Sequence, residues 1–391
     1  MKTIRDLDIS GKHLLLRVDF NVPMDEQGNI TDDIRIRRAL PTIEYGISRN
    51  AKLIICSHMG RPKGQRVEKY SLKPVADHLQ TILSKPVRFA PDCVGDEVES
   101  LVSTMKEGEI ILLENLRFHA GETAGDDEFA AKLGRLAQIY INDAFAVSHR
   151  AHASVAGVTK HCAERGAGFL LEKEMDYFYR SMTSPSRPLV AIVGGAKVSS
   201  KLGALENMLA MVDSMLIGGA MANTFLKSRG INVGTSKVED DLLDTARTFL
   251  KKAEEKNVAV YLPLDVVVGN SFSPDALTRQ TMVAEIPEDW MALDIGPQTV
   301  KLFKKVITGA KTIVWNGPMG AFEMDAFAEG TKIIAQAVAD SEALSITGGG
   351  DSNAAVTKFG VADKISYMST GGGAFLMLME GKELPGVVAL G

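Results

Sequence analysis

Leu344-Ser345-Ile346-Thr347-Gly348-Gly349-Gly350-Asp351-Ser352 is a short apolar run that ends in three glycines and an acid. A run of this length closed by turn residues reads as a strand buried on both faces. In open α/β sheets ligands sit beyond the carboxyl ends of the strands, and glycines there let backbone N–H groups approach a phosphate closely. Leu53-Ile54-Ile55-Cys56-Ser57-His58-Met59-Gly60-Arg61 has the same plan with a different ending, since His58 and Arg61 would grip an anion through their side chains. Most strands legible in the second half of the chain run into glycines, while those of the first half run into Arg, His, Asp or Asn. The contrast points to two binding faces, one for a nucleotide and one for a small polyanion.

Elsewhere along the chain, apolar β-rich runs recur with helix-like stretches between them, which is the signature of parallel α/β sheets. The first half offers His13–Val18, Leu53–Cys56, Val87–Phe89, Ile110–Leu113 and Ile139–Ile141. The second offers Leu189–Val193, Ser214–Ile217, Val258–Leu262, Thr312–Trp315, Leu344–Thr347 and Ile365–Met368. A chain of 391 residues exceeds one ordinary core, so two domains of roughly 170 to 200 residues are expected. Residue usage divides it too: all seven His and all three Cys fall within residues 1–162, and both Trp lie after residue 289. Between the halves Leu171, Met175, Phe178 and Met182 share one helical face, and Thr183-Ser184-Pro185-Ser186-Arg187-Pro188 breaks that helix. This reads either as a connecting helix with a boundary near residue 185 or as an ordinary amphipathic helix within a domain.

Hydrophobic content of 45% and charged content of 24% are those of a globular protein, and a net charge of −5 speaks against binding to nucleic acid. Cys56, Cys93 and Cys162 are widely spaced, as expected of buried thiols in a reducing cytoplasm. The sequence Met1-Lys2-Thr3-Ile4-Arg5-Asp6 lacks the apolar core of a signal peptide. No uncharged apolar stretch approaches the ~20 residues of a membrane helix. A soluble cytoplasmic protein without membrane partners is expected.

Neither a P-loop nor a Gly-x-Gly-x-x-Gly fingerprint is present, which disfavours a P-loop kinase and a conventional NAD oxidoreductase. Gly194-Gly195-Ala196-Lys197-Val198-Ser199-Ser200-Lys201 follows a strand, and Lys197 and Lys201 would share a helical face if the helix began early enough. Two ammonium groups near a helix N-terminus would make a strong phosphate site; solvated lysines after a tight turn are the alternative. In Gly348–Ser352, Ser352 could cap a helix and Asp351 could help hold Mg²⁺ beside phosphates. Gly371-Gly372-Gly373 repeats the arrangement but taken alone is only a loop, and Gly218-Gly219 and Asn316-Gly317-Pro318 could line a purine slot. In the first half Arg35, His58, Arg61, Arg117, His119, His149, Arg150 and His152 stand at loop-like positions where they would converge on one crevice. His149 and His152 lack a third ligand at zinc-site spacing.

Arg17-Val18-Asp19-Phe20-Asn21-Val22-Pro23 is the least generic stretch, followed by Asp33-Ile34-Arg35-Ile36, Leu40-Pro41-Thr42-Ile43 and His58-Met59-Gly60-Arg61-Pro62. With Leu113-Glu114-Asn115-Leu116-Arg117, Asn142-Asp143-Ala144-Phe145, His149-Arg150-Ala151-His152, Trp315-Asn316-Gly317-Pro318-Met319-Gly320 and the glycine-rich runs, the chain resembles phosphoglycerate kinase over nearly its whole length. It departs from the usual pattern at Met59, at Ala146-Val147-Ser148 and in the apolar run Ala374–Met379.

The resemblance implies an α/β protein of two Rossmann-like domains, each a parallel sheet flanked by helices, joined by a connecting helix with a cleft between them. Residues 1–170 would bind phosphoglycerate, rejoined by a returning tail at about 377–391; residues 171–185 would connect and residues 186–376 would bind nucleotide. The implied reaction moves a phosphoryl group between 1,3-bisphosphoglycerate and Mg-ADP, giving 3-phosphoglycerate and Mg-ATP in glycolysis. It also implies a monomer whose domains close to exclude water. Asp19, Phe20, Asn21, Arg35, His58, Met59, Gly60, Arg61, Arg117 and Arg150 would face the phosphoglycerate. Lys197, Lys201, Gly218, Gly219, Asn316, Pro318, Glu323, Gly349, Gly350, Asp351 and Ser352 would face the nucleotide, with Asp351 near Mg²⁺. Arg35, Lys201, Lys197 and Gly372 would act on the transferring group. The attacking carboxylate of 3-phosphoglycerate is ionised at neutral pH, carboxyl pKa values being near ~4, so no general base is needed. A catalytically silent nucleotide sensor of the same fold would be expected to lack a charged residue at Arg35, Lys201 or Asp351, and all three are present.

Overall fold

A computed structural model describes residues 1–391, which divide into two compact units, Met1–Met175 with Glu383–Gly391 and Asp176–Lys382. The first unit is built on six strands: β1 (His13–Val18), β2 (Lys52–Cys56), β3 (Val87–Phe89), β4 (Ile110–Leu112), β5 (Ile139–Asp143) and β6 (Glu164–Ala167). They form one sheet in the order β3-β4-β2-β1-β5-β6, every pairing parallel. Leu15 of β1 lies opposite Ile54 of β2 on one side and Tyr140 of β5 on the other. A central strand covered on both faces needs a continuous apolar run, and Leu14, Leu15, Leu16 and Val18 are all fully buried. The helix Ile34–Ser48 adds Ile36, Ala39 and Ile43 to that core. Because β1 is flanked by β2 and β5, the chain reverses its direction across the sheet there, and the loops after β1 and β5 open a crevice.

The second unit repeats the logic with β7 (Leu189–Val193), β8 (Ser214–Ile217), β9 (Ala259–Tyr261), β13 (Thr312–Asn316), β14 (Leu344–Thr347) and β15 (Tyr367–Met368). Their order is β15-β14-β13-β7-β8-β9, again all parallel, with Val314 of β13 between Ala191 of β7 and Ile346 of β14. Trp315, Phe303, Ile313 and Ile334 centre the core. Here the reversal lies between β7 and β13.

Two features depart from the expectation of purely parallel sheets read from apolar runs. β10 (Asp265–Gly269), β11 (Thr278–Met282) and β12 (Met291–Ile295) form a separate antiparallel sheet in the order β11-β10-β12. β11 reads Thr-Arg-Gln-Thr-Met and is exposed at all but Thr281, so no buried alternation marks it. β6, Glu-Arg-Gly-Ala, likewise lacks the apolar run that betrays the other strands.

The helix bearing Leu171, Met175 and Phe178 spans Phe169–Phe178 and is followed by a wider π turn, Tyr179–Thr183. Its start is fixed by Asp143 at the end of β5, whose Oδ1 accepts from the N–H groups of Leu170 (2.8 Å) and Leu171 (3.2 Å). The unit boundary falls inside this helix, after Met175, and the chain rejoins the first unit at Glu383 rather than at about 377. No helix is long and apolar enough to cross a membrane.

Candidate functional site

The first unit gathers its charged residues at the carboxyl ends of β1, β2, β4 and β5. Arg17 is the deepest of them, fully buried within β1. Its Nε donates to Ser154 Oγ (2.9 Å), Nη1 to the Val18 carbonyl, and Nη2 lies 3.2 Å from His58 Nδ1. Ser154 in turn donates from N and Oγ to the two carboxylate oxygens of the fully buried Glu122 (2.9 and 2.7 Å). Glu122 thus offsets Arg17 through a hydroxyl, leaving the guanidinium's field to act on the crevice. At the next turn Asp19 accepts from Arg35 Nη1 at 2.7 Å and from the Asn21 N–H at 3.2 Å.

Neighbouring loops are locked by side-chain to backbone bonds. Asn21 Oδ1 accepts from the Gly60 N–H (2.9 Å), Arg117 Nη1 donates to the Gly60 carbonyl (2.7 Å), and Phe20 N–H donates to Ser57 Oγ (2.8 Å). Asn115 receives the N–H groups of both Met59 and Arg117 (3.1 and 3.0 Å). Gly60 has φ +58°, and a Cβ there would overlap the Tyr70 ring, so this loop accepts only glycine.

The cluster carries more positive field than its own partners neutralise. Burial, then Arg17, Arg117 and Arg35, push His58 well below its ordinary value. Burial, then Arg117, Arg17 and Arg150, lower His152 to about 4. Burial first, then Arg17 and Arg150, bring Arg117 down to about 10. Buried Arg117 Nε, His149 Nδ1 and His152 Nδ1 have no hydrogen-bond partner. Buried groups left unpaired in this way mark a place where a ligand can complete the bonding, and the surrounding guanidinium groups favour an anion.

Not every expected residue joins. Arg61 is exposed, and Arg150 turns its Nε to His149 Nε2 (3.1 Å). His119 leaves the cluster altogether and binds Asp92 Oδ1 through Nε2 (2.7 Å). The guanidinium groups acting on His152 also oppose a cation between His149 and His152. Arg17, Glu122 and Ser154 were missed as site residues. Glu122 and Ser154 had no sequence signal, while Arg17 stood inside the most distinctive motif.

In the second unit the glycine loops serve a purpose that their sequence does not announce. Gly194 N–H donates to Asn316 O (3.0 Å), Gly195 N–H to Pro318 O (3.0 Å), Gly218 N–H to Val193 O (2.9 Å) and Gly219 N–H to Met319 O (2.9 Å). Three loops, after β7, β8 and β13, are therefore stitched backbone to backbone. A Cβ on Gly194 would overlap the Pro318 carbonyl oxygen. Gly317, at φ +102°, faces the Gly194 carbonyl at equally close quarters. These N–H groups are spent on the protein itself rather than held out to a phosphate.

The N–H groups left for an anion come from the two glycine triplets. Helices Gly350–Lys358 and Gly372–Met379 both start there, and the first N–H groups of a helix have no partner within it. The two starts adjoin: a Cβ on Gly372 would lie 3.2 Å from Gly349 Cα, and one on Gly348 would overlap the Phe375 ring. Asn353 ties them, its Oδ1 accepting from Thr347 Oγ1 and its Nδ2 donating to the Ser369 carbonyl (both 2.8 Å). The second triplet is thus a helix start packed on the first, not a bare loop.

The helix after Gly194 begins only at Leu202, so Lys197 sits exposed in the preceding turn and does not share a helical face with Lys201. Ser352 does not cap its helix: it lies inside it, accepting from the Gly317 N–H (2.6 Å) and donating to Gly348 O (3.0 Å). Lys201 Nζ is drawn inward, donating to the carbonyls of Gly194 (2.6 Å) and Asn316 (2.9 Å), and burial lowers it to about 8 against the pull of Asp351. Asn316 Nδ2 holds Gly348 O (2.7 Å), and Pro318 is buried in the stitched loops. Asp351 and Glu323 are exposed.

Comparison with known proteins matches these features to one family. The model of the phosphoglycerate kinase family covers residues 4–382. The phosphoglycerate kinase of Desulfotalea psychrophila is 64% identical over 390 residues, spanning 100% of both chains, and that of Desulfosudis oleivorans is 56% identical over 100% of this chain and 98% of its own. Among solved structures, phosphoglycerate kinase from Coxiella burnetii superposes with a TM-score of 0.92 at 43% identity, covering 99% of this chain and 98% of that one. The Pyrococcus horikoshii enzyme gives a TM-score of 0.84 at 32% identity over 100% and 98%. With the match running the length of both units, the chain belongs to the phosphoglycerate kinase family.

Proposed function

We propose that this chain carries out reversible phosphoryl transfer from 1,3-bisphosphoglycerate to ADP, each unit binding one substrate. The observation that carries the assignment of roles is the set of unpartnered buried nitrogens on Arg117, His149 and His152 amid guanidinium groups, a bonding deficit that a phosphate-bearing carboxylic acid would fill. Asp19 presents Arg35, Asn21 and Arg117 fix the Gly60 loop, and His58 stays neutral as a hydrogen-bonding group. Phe20 and Met59 pack beneath these loops, and exposed Arg61 and half-buried Arg150 are free to turn toward the ligand.

In the second unit Gly218, Gly219, Asn316 and Pro318 form the wall of the nucleotide site, Glu323 lies at its rim, and Gly349–Ser352 supply the helix start. Lys201 and Lys197 meet the phosphates, and Gly372 opens the second helix start toward the transferring group. A single exposed carboxylate fits Mg²⁺, which is commonly held by one or two carboxylates together with substrate phosphates, and Asp351 is the residue that would hold it. When bound, that ion offsets charge on the phosphate oxygens. Transfer itself asks the protein only for alignment and compensation of charge, supplied by Arg35 from one unit and Lys201 from the other.

We also read the protein as a cytosolic monomer, its three cysteines being unpaired. A coupled assay of ATP formation from ADP and 1,3-bisphosphoglycerate tests the reading. Turnover dependent on Mg²⁺ is expected. Folded protein that binds ADP without turnover would revive the silent nucleotide sensor.

A further inference from the structure

A second constellation stands at the far edge of the first sheet, on the loops after β3 and β4, three and two strands removed from β1. Asp92 and Cys93 follow β3, and His119 follows the turn after β4. Their potential ligand atoms all lie within 4.8 Å of one another. Asp92 Oδ1 accepts from His119 Nε2 (2.7 Å) and from the Cys93 N–H (2.6 Å). The Cys93 thiol is buried beside the same carboxylate. Nothing in phosphoryl transfer uses these three groups, and His119 has turned away from the anion cluster to join them.

We propose that Asp92, Cys93 and His119 form a binding site for one thiophilic divalent cation of the Zn²⁺ type. The donor set is one sulfur, one imidazole nitrogen and one carboxylate oxygen, which suits Zn²⁺ and disfavours the oxygen-seeking Mg²⁺. Zn²⁺ with bonds of about 2.0–2.3 Å holds its ligand atoms roughly 3.3–3.8 Å apart. The 2.7 Å contact between His119 and Asp92 opens to that range once the proton between them gives way to the ion. Two protons move on binding: the thiol releases its proton to solvent, and the imidazole proton shifts from Nε2 to Nδ1 or leaves. Aspartate and thiolate then balance the dipositive ion.

The surroundings are prepared for this. The His119 ring stacks on Phe129, with centroids 5.2 Å apart and planes at 28°, which fixes its direction. Asp92 Oδ1, which faces His119 Nε2 and is positioned by the Cys93 N–H, is the oxygen offered to the ion. Glu114 is not a fourth ligand, because its oxygens take Ser71 Oγ and the N–H groups of Leu72 and Asn115. The fourth position falls to water, which the partly exposed Asp92 and His119 side chains leave within reach. The site lies apart from the guanidinium cluster that repels cations from His149 and His152.

Metal-free full-length protein is dialysed against Zn²⁺ in excess Mg²⁺, and its Co²⁺ form is examined by absorption. One Zn²⁺ per chain is expected, together with a thiolate-to-cobalt charge-transfer band that Cys93→Ser abolishes. His119→Gln should weaken Zn²⁺ binding at least about tenfold. Sub-stoichiometric Zn²⁺, a cobalt spectrum without the thiolate band, or undiminished binding in both variants would overturn the proposal. Should Cys93→Ser fail to fold, the half-exposed His119→Gln decides alone, and wild-type affinity there sinks it.

Discussion

Arg35 is held by Asp19 at 2.7 Å yet keeps 39% of its side chain exposed, so it is aimed without being consumed. Replacing it with alanine removes one preorganised donor to the transferring oxygens. Turnover should fall by ~100-fold or more while ADP affinity changes little. Steady-state kinetics with ADP titration checks this, and a large loss of ADP affinity at unchanged turnover would move Arg35 out of the reaction. Lys201 makes a pH-dependent counterpart. Its pKa of about 8 means that a growing share of the free protein carries a neutral amine above that pH. Bound phosphates favour the ammonium, so ADP binding near pH 8–9 should take up a proton, and affinity should decline as pH rises further. Calorimetry in buffers of different ionisation enthalpy reads that uptake, and Lys201→Met should abolish it. Arg35 was legible because it stands in a distinctive motif on a loop-to-helix boundary. Arg17 was passed over as a ligand-site residue because an arginine is by default a surface residue, and only the Ser154–Glu122 relay, assembled from distant sequence, makes its burial tolerable.

At the level of elements, the strands that carry both sites were readable because each is a short apolar run ending at its ligand-bearing loop. Leu189–Val193, Ser214–Ile217 and Leu344–Thr347 were expected and observed with the same limits. What hid was polar or weakly patterned, such as β6 and β11, whose existence depends on the strand beside it. The glycines were legible as markers of strand ends but misleading as to cause. At Gly194, Gly218 and Gly219 the missing side chain lets neighbouring loops touch, while the helix starts that leave N–H groups without intrahelical partners lie at Gly349–Ser352 and Gly372. Gly194→Ala should therefore act through packing. A methyl group forced against the Pro318 carbonyl should cost about 1–3 kcal/mol, as overpacking generally does, and weaken ADP binding by displacing the wall of its site. Urea unfolding followed by tryptophan fluorescence measures the first effect, since Trp315 is fully buried on β13. An unchanged midpoint would show the stitched loops to be pliable.

For the molecule as a whole, the uneven residue usage first read from the sequence becomes an experimental handle. All seven histidines lie in the first unit and both tryptophans in the second, so imidazole resonances and indole fluorescence each report one unit alone. Residues 383–391 rejoin the first unit after the second is complete. Leu384 and Leu390 are buried there, Gly386 N–H donates to the Ser148 carbonyl (2.9 Å), and the Gly386 carbonyl accepts from Asn142 Nδ2 (3.3 Å). Ser148 immediately precedes His149, so this segment braces the loop on which His149, Arg150 and His152 stand. Deleting residues 383–391 exposes the pocket of two buried leucines, each worth about 1.5–3 kcal/mol. The histidine transition in urea should move to lower denaturant while the tryptophan transition stays in place. The KM for 3-phosphoglycerate should rise as the loop loosens, with the KM for ATP little altered. Equal shifts in both transitions would mean that the segment stabilises the molecule as one cooperative body, and no shift in either would mean that its leucines contribute nothing to the first core.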